Sequence, residues 1–391
     1  MGVFVVGMHR SGTSAVAAAL EALGLDVGDP ERLMVADAGN PAGYYEQQEI
    51  SDLNDEMLSV LGGTWDCPPK LNDGWELEPA MAPYYRRAAS VISTRLDKKR
   101  WLVKDPRITL LLPLWRRAVL DRGAAVLVVR DPMEVAWSLA LRNAMPILTG
   151  LALWAEYNRA ALIGLSGLPV YVCNYDELVV DPVASMTSLR ASLETWNEIP
   201  ADADAAAAVA AAAARVRPEL RRNTWPRDNA DALEVPVEIE RLVKFMADLD
   251  GGHAVWEPGP PPASPWEHAL LTERRSAATR YRIATTERDA ALQLGESLGH
   301  QLHARNLEFD ALVQLARTET ERAEEFGHDL DAARKRIHEI EADLAGVQTR
   351  RRAAEKEARE SERRLQMLER SRLLRVSRAL KQLRRSLFGS S

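Results

Sequence analysis

Close to the start of the chain the residues Gly7-Met8-His9-Arg10-Ser11-Gly12-Thr13-Ser14 stand between a short apolar run, Val3–Val6, and the pattern of a helix. Gly7 and Gly12 allow a tight turn, and the amides from His9 to Ser14 then converge at a helix N-terminus, where the partial positive charge favours an anion. Arg10 adds a cation to that turn, and Ser11, Thr13 and Ser14 add three hydroxyls. A bound phosphate or sulfate group is the expectation; the alternative is a turn whose glycines serve geometry only. A loop for nucleoside triphosphates has a lysine that reaches the β- and γ-phosphates, and this chain has Thr13 in its place.

Two further runs end in charged residues at the same kind of position. Trp101–Val103 leads to Lys104-Asp105-Pro106-Arg107, and Ala125–Val129 leads to Arg130-Asp131-Pro132. Neither offers the acidic residue that holds magnesium beside a triphosphate. Three strand ends instead direct cations at one crevice, the place where doubly wound sheets bind ligands.

With these residues in view the chain resembles the PAPS-dependent sulfotransferases, most of all the bacterial members, over about residues 2–225. These enzymes move a sulfuryl group from 3′-phosphoadenosine 5′-phosphosulfate (PAPS) to an acceptor hydroxyl or amine. The resemblance implies that Arg10-Ser11-Gly12-Thr13-Ser14 binds the 5′-phosphosulfate, and that Arg130, with Ser138 eight residues later, binds the 3′-phosphate. His9, among the same amides, is expected to touch the donor or neighbouring backbone. Looser matches are NPAGYYE at Asn40–Glu46, KDPR at Lys104–Arg107, NYDELVVDP at Asn174–Pro182 and RPELRR at Arg217–Arg222. A donor with only a phosphosulfate at its 5′ end needs no metal ion and no lysine at Thr13. The acceptor implied is a hydroxyl compound, with a cell-envelope glycan as one instance.

Sulfuryl transfer is an in-line displacement, so it depends on positioning and on positive charge at the oxygens that gain charge. Arg10 and Lys104 suit that task. The acceptor hydroxyl also requires a base. Many relatives place a histidine after the strand that here ends at Lys104, but this chain has Asp105-Pro106-Arg107 there, and between His9 and His253 it has no histidine. A carboxylate is expected instead, Glu46 before Asp105, with His9 as a third candidate. Glu46 could equally open a surface helix, and Asp105 could simply pair with Arg107 or Arg130.

These residues need a scaffold, and short β-branched runs alternating with helical patterns supply one. Strands are expected at Val3–Val6, Trp101–Val103, Ala125–Val129 and Val170–Cys173, and helices near Ser14–Leu23, Tyr84–Leu96, Thr109–Leu120, Pro132–Leu141, Ala152–Leu165 and Val183–Leu193. Apolar runs this short, each followed by a helix, imply an α/β, doubly wound parallel sheet over residues 1–256. A proline-rich stretch at 257–266 reads as a stiff linker. Beyond it, apolar residues recur by threes and fours from Tyr281 to Leu368, strongest from Phe326 to Val347, and predict one long coiled-coil helix over 267–369 and hence a homo-oligomer.

Charge divides along the same line: up to Pro260 there are 25 basic and 36 acidic residues, and after it 25 and 21. From Arg370 to the end, seven basic and no acidic residues accompany Leu373, Val376, Leu380, Leu383 and Leu387 at helical spacing. Such a tail suits an anionic membrane surface or a protein partner. Nucleic acid is not expected, because the acidic head would repel it. Cys67 and Cys173 alone make no disulfide framework, and no apolar run is long enough to cross a membrane, so a cytoplasmic chain is expected, peripheral at the inner face if the tail meets the membrane. Two rival readings remain: a P-loop kinase or other NTPase, and a coiled-coil scaffold with an inactive nucleotide-binding head.

Overall fold

The computed structural model describes residues 2–36, 43–96, 100–120, 122–201, 204–217, 219, 225, 235–257, 259–318 and 323–388. Side chains at 95–96, 316–318, 323–328 and 368–388 lie outside the description. The chain divides into two compact units, one of Met1–Arg275 with Arg370–Ser391 and one of Ser276–Glu369.

The first unit is built on a five-stranded sheet in the order β2-β1-β3-β4-β5, with β1 Gly2–Val6, β2 Trp101–Lys104, β3 Ala124–Val129, β4 Val170–Asn174 and β5 Gly251–His253. The first four are parallel; β5 runs antiparallel to β4. Each expected strand is present. Their unbroken apolar runs, GVFVV and AAVLVV, lack the alternation of a half-wet strand because helices bury both faces. β5 escaped sequence reading because Gly-Gly-His carries no β-branched residue.

Among the described residues, ten helices belong wholly to this unit: α1 Thr13–Ala22, α2 Gln48–Val60, α3 Ala82–Leu96, α4 Ile108–Ala118, α5 Pro132–Asn143, α6 Ile147–Gly164, α7 Tyr175–Val180, α8 Pro182–Thr195, α9 Ala205–Ala213 and α10 Val237–Ala247. Two apolar clusters sandwich the sheet. One joins Phe4, Trp115, Trp154 and Tyr157 on the face covered by α4 and α6, and the other joins Val5, Leu20, Val128 and Leu189 on the opposite face. Truncating Trp115 or Trp154, both fully buried, to alanine would cost about 3–5 kcal/mol. After β1 the chain goes first to β2 on one side and then to β3 on the other. The strand order therefore reverses at the end of β1, and a crevice opens there.

The proline-rich stretch is docked rather than free. Arg159 on α6 donates to the Pro261 carbonyl at 2.9 Å and pairs with Glu267 at 2.6 Å, both side chains buried. Ser264 and Glu267 exchange hydrogen bonds around Pro265, the reciprocal arrangement that starts a helix. The first residues of the long helical part thus belong to the head, and the boundary between compact units falls after Arg275 instead of at 257–266.

The single long helix expected over 267–369 is two helices, α11 Pro265–Thr318 and α12 Ala323–Phe388. Within the second unit they run antiparallel: Arg334 lies over the Phe309 ring at 5.4 Å, Gly295 faces Val347, and Arg288 acts on Glu355. Ala284, Val347 and Ala358 are buried in this hairpin. Heptad spacing reports that a helix has a partner but not which chain supplies it, and here the partner is the same chain. The basic tail is helical to Phe388, but the side chains of its proposed membrane face lie outside the described residues. Among the described residues no helix is long and apolar enough to cross a membrane.

Candidate functional site

The loop after β1 has the geometry its glycines imply. Gly12, at φ 93°, is the N-cap of α1 without a side-chain cap bond, and a Cβ there would stand 2.1 Å from the Tyr175 ring. Two separate constraints, backbone and space, thus reserve the position for glycine. Arg10 is also left-handed, at φ 71°, so the loop curls and turns successive amides inward in the manner of an anion-binding nest. Its entry is pinned from α4: Gly7 N–H donates to Thr109 Oγ1 at 2.9 Å, and the hydroxyl returns a bond to Gly7 O at 3.2 Å.

The second expected element meets the first. Arg10 Nε donates to Ser138 Oγ on α5 at 2.9 Å, joining residues 128 apart in the chain. Arg130, at the end of β3, donates to the Arg10 carbonyl at 3.0 Å, pairs with Glu134 at 2.7 Å and lies over the Tyr175 ring at 5.1 Å. Trp154 Nε1 holds the Arg130 carbonyl at 3.0 Å. Asp131 is no metal ligand in waiting: its carboxylate accepts from Glu134 N–H at 3.0 Å and caps α5, with Pro132 in the first turn. Ser11 and Thr13 are buried, while Ser14 Oγ donates to the Tyr44 carbonyl at 3.1 Å.

Lys104 and Glu46 form the centre of the crevice. Lys104 Nζ donates to Ser14 Oγ at 3.1 Å, to Tyr44 O at 3.0 Å and to Glu46 Oε1, and both charged side chains are buried. Glu46 is therefore not the start of a surface helix. α2 begins only at Gln48, and the Glu46 side chain is 6% exposed. Asp105 is fully buried and accepts from Arg107 N–H at 2.8 Å and from its guanidinium at 3.2 Å, so its partner is Arg107 rather than Arg130. Burial raises the Asp105 carboxyl to about 6; Arg107 opposes the rise and Glu46 adds to it.

His9 packs against aromatic rings. Its ring sits 4.5 Å from that of Trp65 and 5.9 Å from that of Tyr157, and its Nε2 is buried with no hydrogen-bond partner among the described residues. Burial, and then the charges of Arg107, Lys104, Arg142 and Arg10, hold its pKa well below 6.5. It is a neutral imidazole at physiological pH.

Sequence reading missed Arg142 and, though Trp65 reads from the sequence as a core or pocket-wall tryptophan, gave no signal that it meets His9. Arg142 donates to the Tyr44 hydroxyl at 2.9 Å; its place one turn after Ser138 on the same helix face was the available signal. Trp65 had none, since only tertiary packing brings it to His9. Asn40-Pro41-Ala42, Arg221 and Arg222 lie outside the described residues, and Arg217 is exposed. A cavity of about 710 Å³ flanks the Arg130–Glu134 pair and is lined by Asp131, Glu134, Asp176, Asp181 and Trp225 among others. Its size suits a nucleoside. Its carboxylates suit an amine or ring edge and not a phosphate.

No protein-family model matches the chain, and no curated protein matches it. Among solved structures it is similar to the sulfotransferase domain from the curacin biosynthetic pathway, at 14% identity and a TM-score of 0.35, over 63% of this chain and 96% of that one. It is likewise similar to the sulfotransferase domain from the Synechococcus PCC 7002 olefin synthase, at 14% identity and a TM-score of 0.32, over 71% of this chain and 94% of that one.

Proposed function

We propose that the chain transfers the sulfuryl group of PAPS to an acceptor hydroxyl. The observation that carries this reading is the Arg10–Ser138 hydrogen bond, with Arg130 on the Arg10 carbonyl. It unites at one crevice the two elements that a donor with a 5′-phosphosulfate and a 3′-phosphate requires.

In this reading the loop amides and Arg10 hold the phosphosulfate, and Arg130 and Ser138 hold the 3′-phosphate. Lys104 carries its charge to the sulfuryl oxygens, where negative charge grows as the bond to the bridging oxygen breaks. Lys104 is bound to Glu46. A donor that draws the ammonium toward its sulfuryl group leaves the Glu46 carboxylate to take the acceptor's proton. The acceptor oxygen then bonds to sulfur, adenosine 3′,5′-bisphosphate departs with the bridging oxygen, and the proton stays on Glu46. Asp105, tied to Arg107, orients that guanidinium beside Glu46, whose Oε2 lies 3.9 Å from it.

Calorimetry with adenosine 3′,5′-bisphosphate, compared with ATP and magnesium, tests the reading. Tight binding of the first alone is expected. Preference for ATP would make the chain an NTPase, and binding of neither would leave a scaffold with an inactive head. Labelled-sulfate transfer against envelope extracts then identifies the acceptor.

A further inference from the structure

The turn that carries Trp65 is held from outside itself at three carbonyls. Tyr157 Oη donates to Trp65 O at 2.8 Å, Arg274 Nε to Asp66 O at 2.8 Å, and Arg275 Nε to Pro68 O at 2.6 Å. Arg274 also pairs with the Asp66 carboxylate at 2.8 Å, and Arg275 reaches Glu156 at 3.5 Å. Within the turn, Thr64 and Cys67 exchange backbone bonds of 3.0 and 3.2 Å, so the turn moves as one piece. Both arginines stand at the root of α11, which the buried Arg159–Glu267 pair fixes to α6. A chain of contacts therefore leads from the root of α11 through the turn to the Trp65 ring, and from that ring to His9 in the anion-binding loop.

We infer that Arg274 and Arg275 are positioning residues: they hold Trp65 as a wall over His9 and so keep water out of the transfer site from that side. The observations ask for such a wall. Backbone carbonyls on a surface turn are ordinarily left to water, yet here each is met by a side chain from a distant element. Behind them lies the buried His9 imidazole, whose Nε2 has no hydrogen-bond partner among the described residues and whose ring the Trp65 ring covers at 4.5 Å. Excluding water matters in a transferase because water is itself an acceptor: it attacks sulfur, sulfate and a proton leave, and the donor is wasted as adenosine 3′,5′-bisphosphate. In this last respect the inference rests on the reading given under Proposed function.

The test uses the full chain with Arg274→Ala and Arg275→Ala together, beside Arg274→Lys with Arg275→Lys and Trp65→Ala. Diethyl pyrocarbonate acylates neutral imidazoles, and the peptide containing His9 reports the rate by mass spectrometry. The alanine pair and Trp65→Ala should raise the His9 rate about tenfold, as local opening of the wall demands, with the lysine pair between them and the wild type. An unchanged His9 rate in a folded alanine pair overturns the inference. Should the alanine pair not fold, the lysine pair and Trp65→Ala decide, and wild-type rates in both overturn it. The second readout is release of adenosine 3′,5′-bisphosphate from PAPS with water as the only acceptor. A several-fold rise in the alanine pair is expected, and no rise overturns the water-excluding role. If no variant and not the wild type consumes PAPS, the transferase reading fails while the His9 rates still decide the wall.

Discussion

The two sides of the crevice are built on different plans. On the donor side every cation is already held: Arg10 by Ser138, Arg130 by Glu134, Lys104 by Glu46. On the other side stand His9, with a buried nitrogen that has no partner among the described residues, and a tryptophan positioned from a distant helix. A multiply charged anion must find its cations in place, because buried charges without partners are costly and would not wait in the right geometry. In the reading proposed above, a bound donor would take these cations over from their present partners. On the side of His9 the structure offers shape, and shape can be set from far away.

The sharpest way to break this contrast is Lys104→Met. Transfer should slow about 1,000-fold, the loss seen when a donor to developing charge is removed. Binding of adenosine 3′,5′-bisphosphate, which lacks the sulfuryl group, should weaken by less than about tenfold. Comparable losses in both would mean that Lys104 binds the nucleotide and does not serve the transfer.

Glu46→Gln should lower turnover by about 100-fold, a usual contribution of a general base, with bisphosphate affinity near that of the wild type. The glutamine keeps an oxygen for Lys104 but removes its counter-charge inside a buried pair, so the melting temperature should fall as well. Unchanged turnover would pass the proton to Asp105 or His9.

Arg130→Ala should weaken bisphosphate binding by roughly 1.5–3 kcal/mol, as for hydrogen bonds to charged groups, and hardly affect an analogue without the 3′-phosphate. Calorimetry on the two ligands separates the cases. Equal loss for both would show that Arg130 acts through the Arg10 carbonyl it holds and not on the phosphate.

The smallest effect is a pH dependence at Asp105. Its folded pKa, about 6, lies above the ordinary 3.8, chiefly through burial. The stability contributed by the protonated form is thus complete below about pH 4 and lost as pH rises through about 6. Asp105→Asn does not titrate, so its Tm minus that of the wild type should grow by several degrees between those limits. A flat difference would show that Arg107 keeps Asp105 ionised throughout.

Much of the donor side was legible in the sequence because its residues sit at fixed offsets from strand ends, and strand ends are what apolar runs reveal. Arg10, Lys104 and Arg130 could be placed at one crevice before any coordinate. The Glu46–Lys104 pair was not legible, since an acid just ahead of a helix reads the same whether it faces solvent or a buried lysine. The wall was invisible for a stronger reason. Trp65, Arg274 and His9 share no period and no motif, and their meeting depends on how α11 docks. Periodicity also reached too far over α11 and α12: the apolar repeat is shared by two helices that pack on each other within the chain, and Ala284, Val347 and Ala358 are buried there.

The pair between Arg159 and Glu267 spans 108 residues, and that distance has a temporal meaning. A ribosome adding about 5–20 residues per second leaves Arg159 without its carboxylate for roughly 5–20 s after it is made. During that interval the guanidinium has neither the Pro261 carbonyl nor the Glu267 carboxylate, and the part of α6 that this segment covers has only water to face. The nascent head should therefore stay open until the beginning of α11 has left the exit tunnel, and a release of translation just before Glu267 should yield a chain that chaperones retain.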